Sequence, residues 1–440
     1  MERSKSSPRF WLALTVFSFV GQVAWVVENM YFNVFIYKMF RAGAAEISLM
    51  VAASAVAATV TTLLIGALSD KLGKRRIFIS AGYILWGISI LSFALIRTDI
   101  IEKFIPATAS AASVGVSLVI IMDCVMTFFG SSANDACFNA WLTDSADPTN
   151  RGAAEGINAM MPLIAILAVF GGFMPFDLDL PSSWVAIYII IGAVVIASGI
   201  LGFFLIRDSG TAAVREDGYL RSIFYGFRPS VMRREPVLYA VLAAFAVFGI
   251  SIQIFMPYLI LYYSVSLGME NYVLIMAPAI ILAAAATVAA GKCYDRFGFG
   301  RTIIPALASL AAGYIVLFFF RSTLPVFIGS LLMMSGYLSG AAIFGAMLRD
   351  YTPPHRAGMF QGLRIVGQVL IPGIIGPAIG AAVLRDAQKI IGDDGTASFV
   401  PDRSIFSAAL IAAVLILPML FLIFSAIKRT AGQKNSRSEV

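Results

Sequence analysis

Three acidic residues stand where acids are scarce. Glu28 lies in the apolar run 10–38, and Asp123 and Asp135 lie in the run 107–142. A carboxyl group there is costly unless it is paired, protonated or turned to water, so each is a candidate for holding a coupling cation. Polar neighbours share the first run. On a regular helix Gln22, Asn29 and Asn33 fall within an arc of about 40°, with Glu28 about 100° to one side. Such a stripe either lines a cavity or makes hydrogen bonds between helices. Asn134 adjoins Asp135, which lies nine residues before Asp144 and so well inside its helix. Asp123 is about 18 Å farther along, too far for the two to share one ion. Asp135 has a second reading, a bond to an arginine such as Arg151, and Asp123 has one as a neutral, hydrogen-bonded carboxyl. Farther on, Gln253, Pro257 and Tyr258 put a proline kink beside an amide and a phenol. That group suits a solute cavity or a kinked packing helix.

These side chains need elements to hold them, and composition says which. Of the 440 residues 59% are hydrophobic and only 13% charged, against about 25% charged in soluble domains. Lipid is the implied solvent. At about 20 apolar residues per crossing, twelve helices are expected, at 10–38, 46–68, 76–97, 107–142, 152–175, 182–206, 236–263, 270–290, 301–320, 325–348, 358–384 and 404–427. Helix 2 is rich in small residues, which suits close packing. The polar stretch from Arg207 to Glu235 reads as a linker, so residues 1–206 form one six-helix bundle, 207–235 a cytosolic linker and 236–440 a second bundle with a short tail. Within the linker, Tyr219 to Phe227 reads either as an unspecialised tether or as an amphipathic helix on the inner membrane surface.

The net charge of +7 does not imply a nucleic-acid partner. With twelve crossings, the loops on one side together with both tails hold 24 of the 32 Lys and Arg residues, so the positive-inside rule places both termini in the cytosol. The short tails suggest a bacterial or archaeal cytoplasmic membrane. Three dispersed cysteines and a single histidine, His355, leave no metal or disulfide framework. No nucleophile triad or phosphate-binding glycine loop is present, which argues against an enzyme and against primary transport. No cofactor is expected.

The chain repeats itself. Gly66, Asp70, Gly73 and Arg76 in GALSDKLGKRR return 225 residues later as Gly291, Asp295, Gly298 and Arg301. A second pair of segments agrees: Leu142, Asp144, Pro148, Gly152 and Gly156 return as Leu348, Asp350, Pro354, Gly358 and Gly362, with Arg151 and Arg356 in the corresponding loops.

The Gly66–Arg76 stretch and its copy resemble the G-x-L-x-D-x-x-G-x-[KR]-[KR] signature of the major facilitator superfamily. That resemblance implies an all-α membrane protein of two pseudo-symmetric six-helix bundles, with this stretch latching the halves on the cytosolic side. Asn134 to Arg151 resembles the glycoside-pentoside-hexuronide cation symporters, with Asp135 at the aspartate that serves their sugar and cation site. Helix 1, GQVAWVVENM, is similar to the corresponding segment of sucrose-proton symporters. The symporters carry two helix-2 aspartates where this chain has Ala58 and Thr62, so the sodium site is incomplete. Protons are favoured over sodium, because one buried carboxyl can bind and release a proton while sodium wants several oxygens.

The expected function is cation-coupled symport of a sugar or similar polar solute by alternating access, in a protein that works as a monomer. Glu28, Asp135 and Asp123 are the coupling candidates; Asn29, Asn33, Asn134, Gln253 and Tyr258 are the lining. A drug/proton antiporter of the same fold is the alternative.

Overall fold

Inside lipid every backbone N–H and C=O must be satisfied internally, so long apolar runs fold as helices. The computed structural model describes residues 7–106, 110–146, 151–208, 224–269, 271–352, 362–391 and 397–438. Among them twelve helices are long and apolar enough to cross a membrane. They are α1 (Pro8–Phe40), α2 (Ala44–Gly66), α3 (Arg75–Leu95), α4 (Ala111–Ser145), α5 (Gly156–Phe173), α6 (Pro181–Leu205), α7 (Pro236–Ser266), α8 (Val273–Phe297), α9 (Phe299–Phe319), α10 (Thr323–Asp350), α11 (Gly362–Val383) and α12 (Ser404–Lys428). The helix of α2 continues beyond its apolar part to Leu72.

The chain divides into two compact units. The first comprises residues Met1–Asp217 with Lys389–Phe399, and the second comprises Gly218–Gln388 with Val400–Val440. The sequence predicts a second bundle running unbroken from 236, yet the hairpin of β1 (Lys389–Ile391) and β2 (Ala397–Phe399) groups with the first unit. Its anchor there is the buried Tyr37 hydroxyl, which donates to the Phe399 carbonyl at 2.7 Å. Of the Tyr219–Phe227 segment, only Phe224–Phe227 falls within the described residues, as a single 3₁₀ turn.

Within the first unit the chain leaving α6 is held by three other helices. Arg9 of α1 donates to the Leu205 carbonyl at 3.0 Å, Trp141 of α4 to the Arg207 carbonyl at 3.0 Å, and the Arg76 backbone N–H to Asp208 at 2.8 Å. Arg207 and Asp208 are therefore part of the bundle end rather than free linker. In the second unit, α9 and α10 meet through glycine. A Cβ added to Gly336 would lie 2.4 Å from the Leu310 backbone nitrogen, and one on Gly313 the same distance from that of Met333. Only a missing side chain permits such approach.

Several spans are not regular. Wide π turns occupy Val27–Tyr31 in α1, Ser131–Phe138 in α4, Tyr262–Ser266 in α7 and Val366–Leu370 in α11. Pro257, which lacks an N–H to donate, sits in a 3₁₀ turn at Met256–Tyr258. Each π turn shifts the phase of the residues that follow it.

Candidate functional site: a buried acidic cluster in the first bundle

Glu28 lies in the π turn of α1 and is only 6% exposed. Its Oε1 accepts from the Ser54 hydroxyl of α2 at 2.8 Å and from the Thr127 hydroxyl of α4 at 2.8 Å. The two hydroxyl oxygens are themselves 2.7 Å apart. Asp123, one turn before Thr127 and 2% exposed, lies within electrostatic reach of Glu28. Glu28 Oε2 and Asp123 Oδ1 are buried with no hydrogen-bond partner among the described residues. An orphaned buried carboxyl oxygen is expensive, so two in one cluster make it a candidate site for a proton or ligand.

Asp135 occupies the π turn of α4 and accepts from Ser131 of the same turn at 3.0 Å. It too acts electrostatically on Glu28. Among the described residues no Lys or Arg forms an ion pair or hydrogen bond with Glu28, Asp123 or Asp135. Arg151, the alternative partner for Asp135, has a side chain outside the described residues. Sequence spacing along α4 separates Asp123 from Asp135, but it cannot reveal that Glu28 joins Asp123 from another helix. Ser54 and Thr127 escape sequence reasoning altogether. Ser54 hides in the small-residue run of α2; Thr127 carries a signal, since it follows a buried acid by one helical turn.

The polar stripe expected on α1 does not form. The π turn rotates the helix between Glu28 and Asn33, leaving Asn29 exposed and Asn33 only 1% exposed. Asn29 donates to the Trp25 carbonyl at 2.8 Å and Asn33 to the Asn29 carbonyl at 2.9 Å. Asn29 is the one with a free face toward the surroundings. Two other lining candidates have their polar groups bonded within the protein. Asn134 donates to the Tyr83 hydroxyl at 2.6 Å, packed against Gly21, where a Cβ would lie 2.1 Å from its amide nitrogen. Tyr258 is fully buried and donates to the Pro377 carbonyl at 3.4 Å. Gln253 is half-buried beside Gly376 of α11. Arg364 is half-buried, and its Nε has no hydrogen-bond partner among the described residues.

At the end of the bundle that carries the repeated stretch, Gly73 and Gly298 occupy matching positions and both have positive φ, 62° and 75°. Both glycines end a helix where an L side chain would be strained. Arg75 bridges the Ser69 hydroxyl and Asp144 Oδ2, the latter at 3.3 Å. The second copy replaces this arginine bridge with a direct bond from the Tyr294 hydroxyl to Asp350. Asp295 and Arg301 are exposed, and the Gly291 neighbourhood is open. The Asp70 side chain and Arg356 lie outside the described residues.

The chain matches the family model of the Major Facilitator Superfamily over residues 10–377. It is 25% identical over 226 residues to sugar efflux transporter A of Dickeya chrysanthemi, and the match spans 51% of this chain and 51% of that protein. Solved structures share the fold at low identity. The nucleoside transporter NupG superposes with a TM-score of 0.67 at 12% identity, covering 95% of this chain and 98% of that one. A bacterial homologue of the human lysosomal transporter Spinster, inward-facing and occupied, gives 0.69 at 14%, covering 96% and 98%. The xylose transporter XylE from E. coli gives 0.67 at 13%, covering 94% and 98%. These proteins are membrane transporters, not enzymes, and this chain, with twelve helices long and apolar enough to cross a membrane among its described residues and two copies of one motif, belongs to the Major Facilitator Superfamily.

Proposed function

We propose that the protein is a secondary transporter for a sugar or glycoside, coupled to protons, with both termini in the cytosol of a bacterial or archaeal cell. The observation that carries the coupling is the Glu28–Asp123 cluster, two acids buried together with no basic partner among the described residues. Such a cluster can exchange a proton without moving a counter-charge of its own. A sugar is supported by the match to a sugar efflux transporter and by the likeness of fold to a xylose transporter. The glycoside-pentoside-hexuronide branch is the narrower form of this reading, carried by Asn134 to Arg151 alone. Transport would follow the alternating-access scheme, one repeat rocking against the other.

The direction of sugar flow has two readings. Symport into the cell follows from the resemblance of Asn134–Arg151 and helix 1 to symporters. Sugar leaving the cell, which with proton coupling would be exchange, is favoured by the named efflux activity of the Dickeya relative. Protein reconstituted in vesicles and challenged with monosaccharides, disaccharides, glycosides and lipophilic cations separates them. Sugar-evoked proton entry alongside the sugar supports symport, and proton movement opposite to the sugar supports exchange. A response to lipophilic cations alone would instead identify a drug antiporter.

A further inference from the structure

The β1–β2 hairpin belongs to one half of the chain by sequence and to the other by contact. Its strands lie between α11 and α12, yet Lys389–Phe399 groups with the first unit, while Gln388 before it and Val400 after it group with the second. The antiparallel register explains how the first unit holds it. Lys389 pairs with Phe399 and Ile390 with Ser398, and the Val400 N–H donates to the Gln388 carbonyl at 2.8 Å across the foot of the hairpin. Hydrogen-bonded and non-hydrogen-bonded pairs alternate along such a ladder, so the next pair, Lys389 with Phe399, turns its backbone groups outward. The Phe399 carbonyl therefore points off the free edge of β2, where the Tyr37 hydroxyl meets it at 2.7 Å. The two rings pack edge to face, their centroids 5.3 Å apart. Ser398 and Phe399 are buried while all of β1 is exposed, so β2 is the strand that docks.

The chain on either side of the hairpin has little slack. α11 ends at Val383 and α12 begins at Ser404. In the second unit the Arg403 guanidinium lies over the Phe318 ring of α9, 4.9 Å from its centroid, and the Ser404 hydroxyl donates to the Val383 carbonyl at 3.3 Å. Phe399, held by the first unit, and Arg403, held by the second, are thus four positions apart. Four fully extended residues reach about 14 Å at most. Tyr37 lies toward the opposite end of α1 from Arg9, and Arg9 caps the end of α6 close to where Arg76 of the repeated stretch binds Asp208.

We infer that the hairpin is a strap, clasped by Tyr37 and Phe399, which limits how far the two units can part at the end remote from the Gly66–Arg76 stretch. The inference deepens the transporter reading above and rests on its alternating-access scheme for the motion. The arms of the strap are covalent and the clasp is not, so the clasp is the joint that yields. A two-stranded hairpin standing alone is marginal in water, so release of the clasp also costs the hairpin its order. Removing the Tyr37 hydroxyl should raise the population open at this end about fivefold, the factor that one net hydrogen bond carries.

The test is a pair of measurements on the full chain in lipid nanodiscs, without solute. Spin labels at Ser182→Cys and Thr323→Cys, with Cys124, Cys137 and Cys293 replaced by alanine, report the distance between the units by electron double resonance. Both labelled positions are exposed, and each begins a helix, α6 or α10, whose other end lies beside the repeated stretch of its unit. Two distances are expected, with the longer one gaining about fivefold in Tyr37→Phe. Tyr83→Phe is the control, since it also loses a buried hydroxyl-to-carbonyl bond, but one within the first bundle, and its ratio should match that of the unsubstituted chain. Hydrogen exchange on the chain with its own cysteines keeps the test decisive if the labelled protein fails to fold: amides of Lys389–Phe399 should exchange several-fold faster in Tyr37→Phe and at the native rate in Tyr83→Phe. Two distances whose ratio ignores Tyr37→Phe, an equal shift in Tyr83→Phe, or unaltered exchange in the hairpin would each overturn the strap alone. A single narrow distance in the unsubstituted chain would remove the alternating-access reading and the strap with it.

Discussion

Asn134 donates its side-chain amide to the Tyr83 hydroxyl at 2.6 Å, and Tyr83 passes the chain on to the Phe17 carbonyl at 2.8 Å. Three helices are joined by two hydrogen bonds deep in the first bundle, the first of them starting within the π turn that also carries Asp135. Tyr83→Phe should therefore lower the stability of the bundle by about 1 kcal/mol, in the range of hydrogen bonds between membrane helices. Solute affinity should be unchanged, which distinguishes a packing role from the lining role that sequence suggests for Asn134. Thermal unfolding in detergent and equilibrium solute binding on the same variant check both halves of this expectation.

Arg75 ties Asp144 to Ser69 across the end of the first bundle, and Tyr294 ties directly to Asp350 at the equivalent place in the second. The Arg75 and Asp144 side chains are 11% and 27% exposed, so loss of the pair should cost less than about 1 kcal/mol of stability. If the repeated stretch governs conformational switching, Arg75→Ala should lower kcat several-fold with KM nearly unchanged. A rise in KM at constant kcat would mean that this end of the bundle helps bind solute.

Gly336 should tolerate no side chain. A Cβ there would meet the Leu310 backbone nitrogen at 2.4 Å, and backbone cannot move aside as a flexible side chain can. Gly336→Val is expected to destabilise the second bundle by about 1–3 kcal/mol through overpacking. Gly291→Ala, with nothing within 4 Å of the added carbon, should be close to neutral. Comparative melting curves of the two variants decide the matter.

The fold is legible in the sequence because its signals are collective. A span needs only a long apolar run, and the Gly66 and Gly291 stretches place the repeat by their own composition. The site is legible only in part. Glu28, Asp123 and Asp135 announce themselves as acids in apolar runs. Which face each presents depends on π turns, and these leave no mark in residue spacing: Asn29 and Asn33, one turn apart on a regular helix, end up exposed and buried. Pairing between helices is equally hidden. Ser54 reads as one more small residue in α2, and only tertiary packing brings it to Glu28. Tyr258 fits a cavity by type, yet its hydroxyl turns to the Pro377 carbonyl of α11.

The coupling claim rests on Glu28, which is buried beside Asp123 with no basic partner among the described residues. Its most direct test is solute-evoked proton movement in vesicles reconstituted with the native protein and with Glu28→Gln, each driven by a sugar gradient and by a proton gradient. The native protein should show proton movement evoked by sugar and sugar accumulation driven by protons. Glu28→Gln should lose both while still exchanging sugar down its own gradient at a rate independent of pH. Sugar accumulation that persists in Glu28→Gln and still follows the proton gradient would contradict the account, and would move the coupling site away from this cluster.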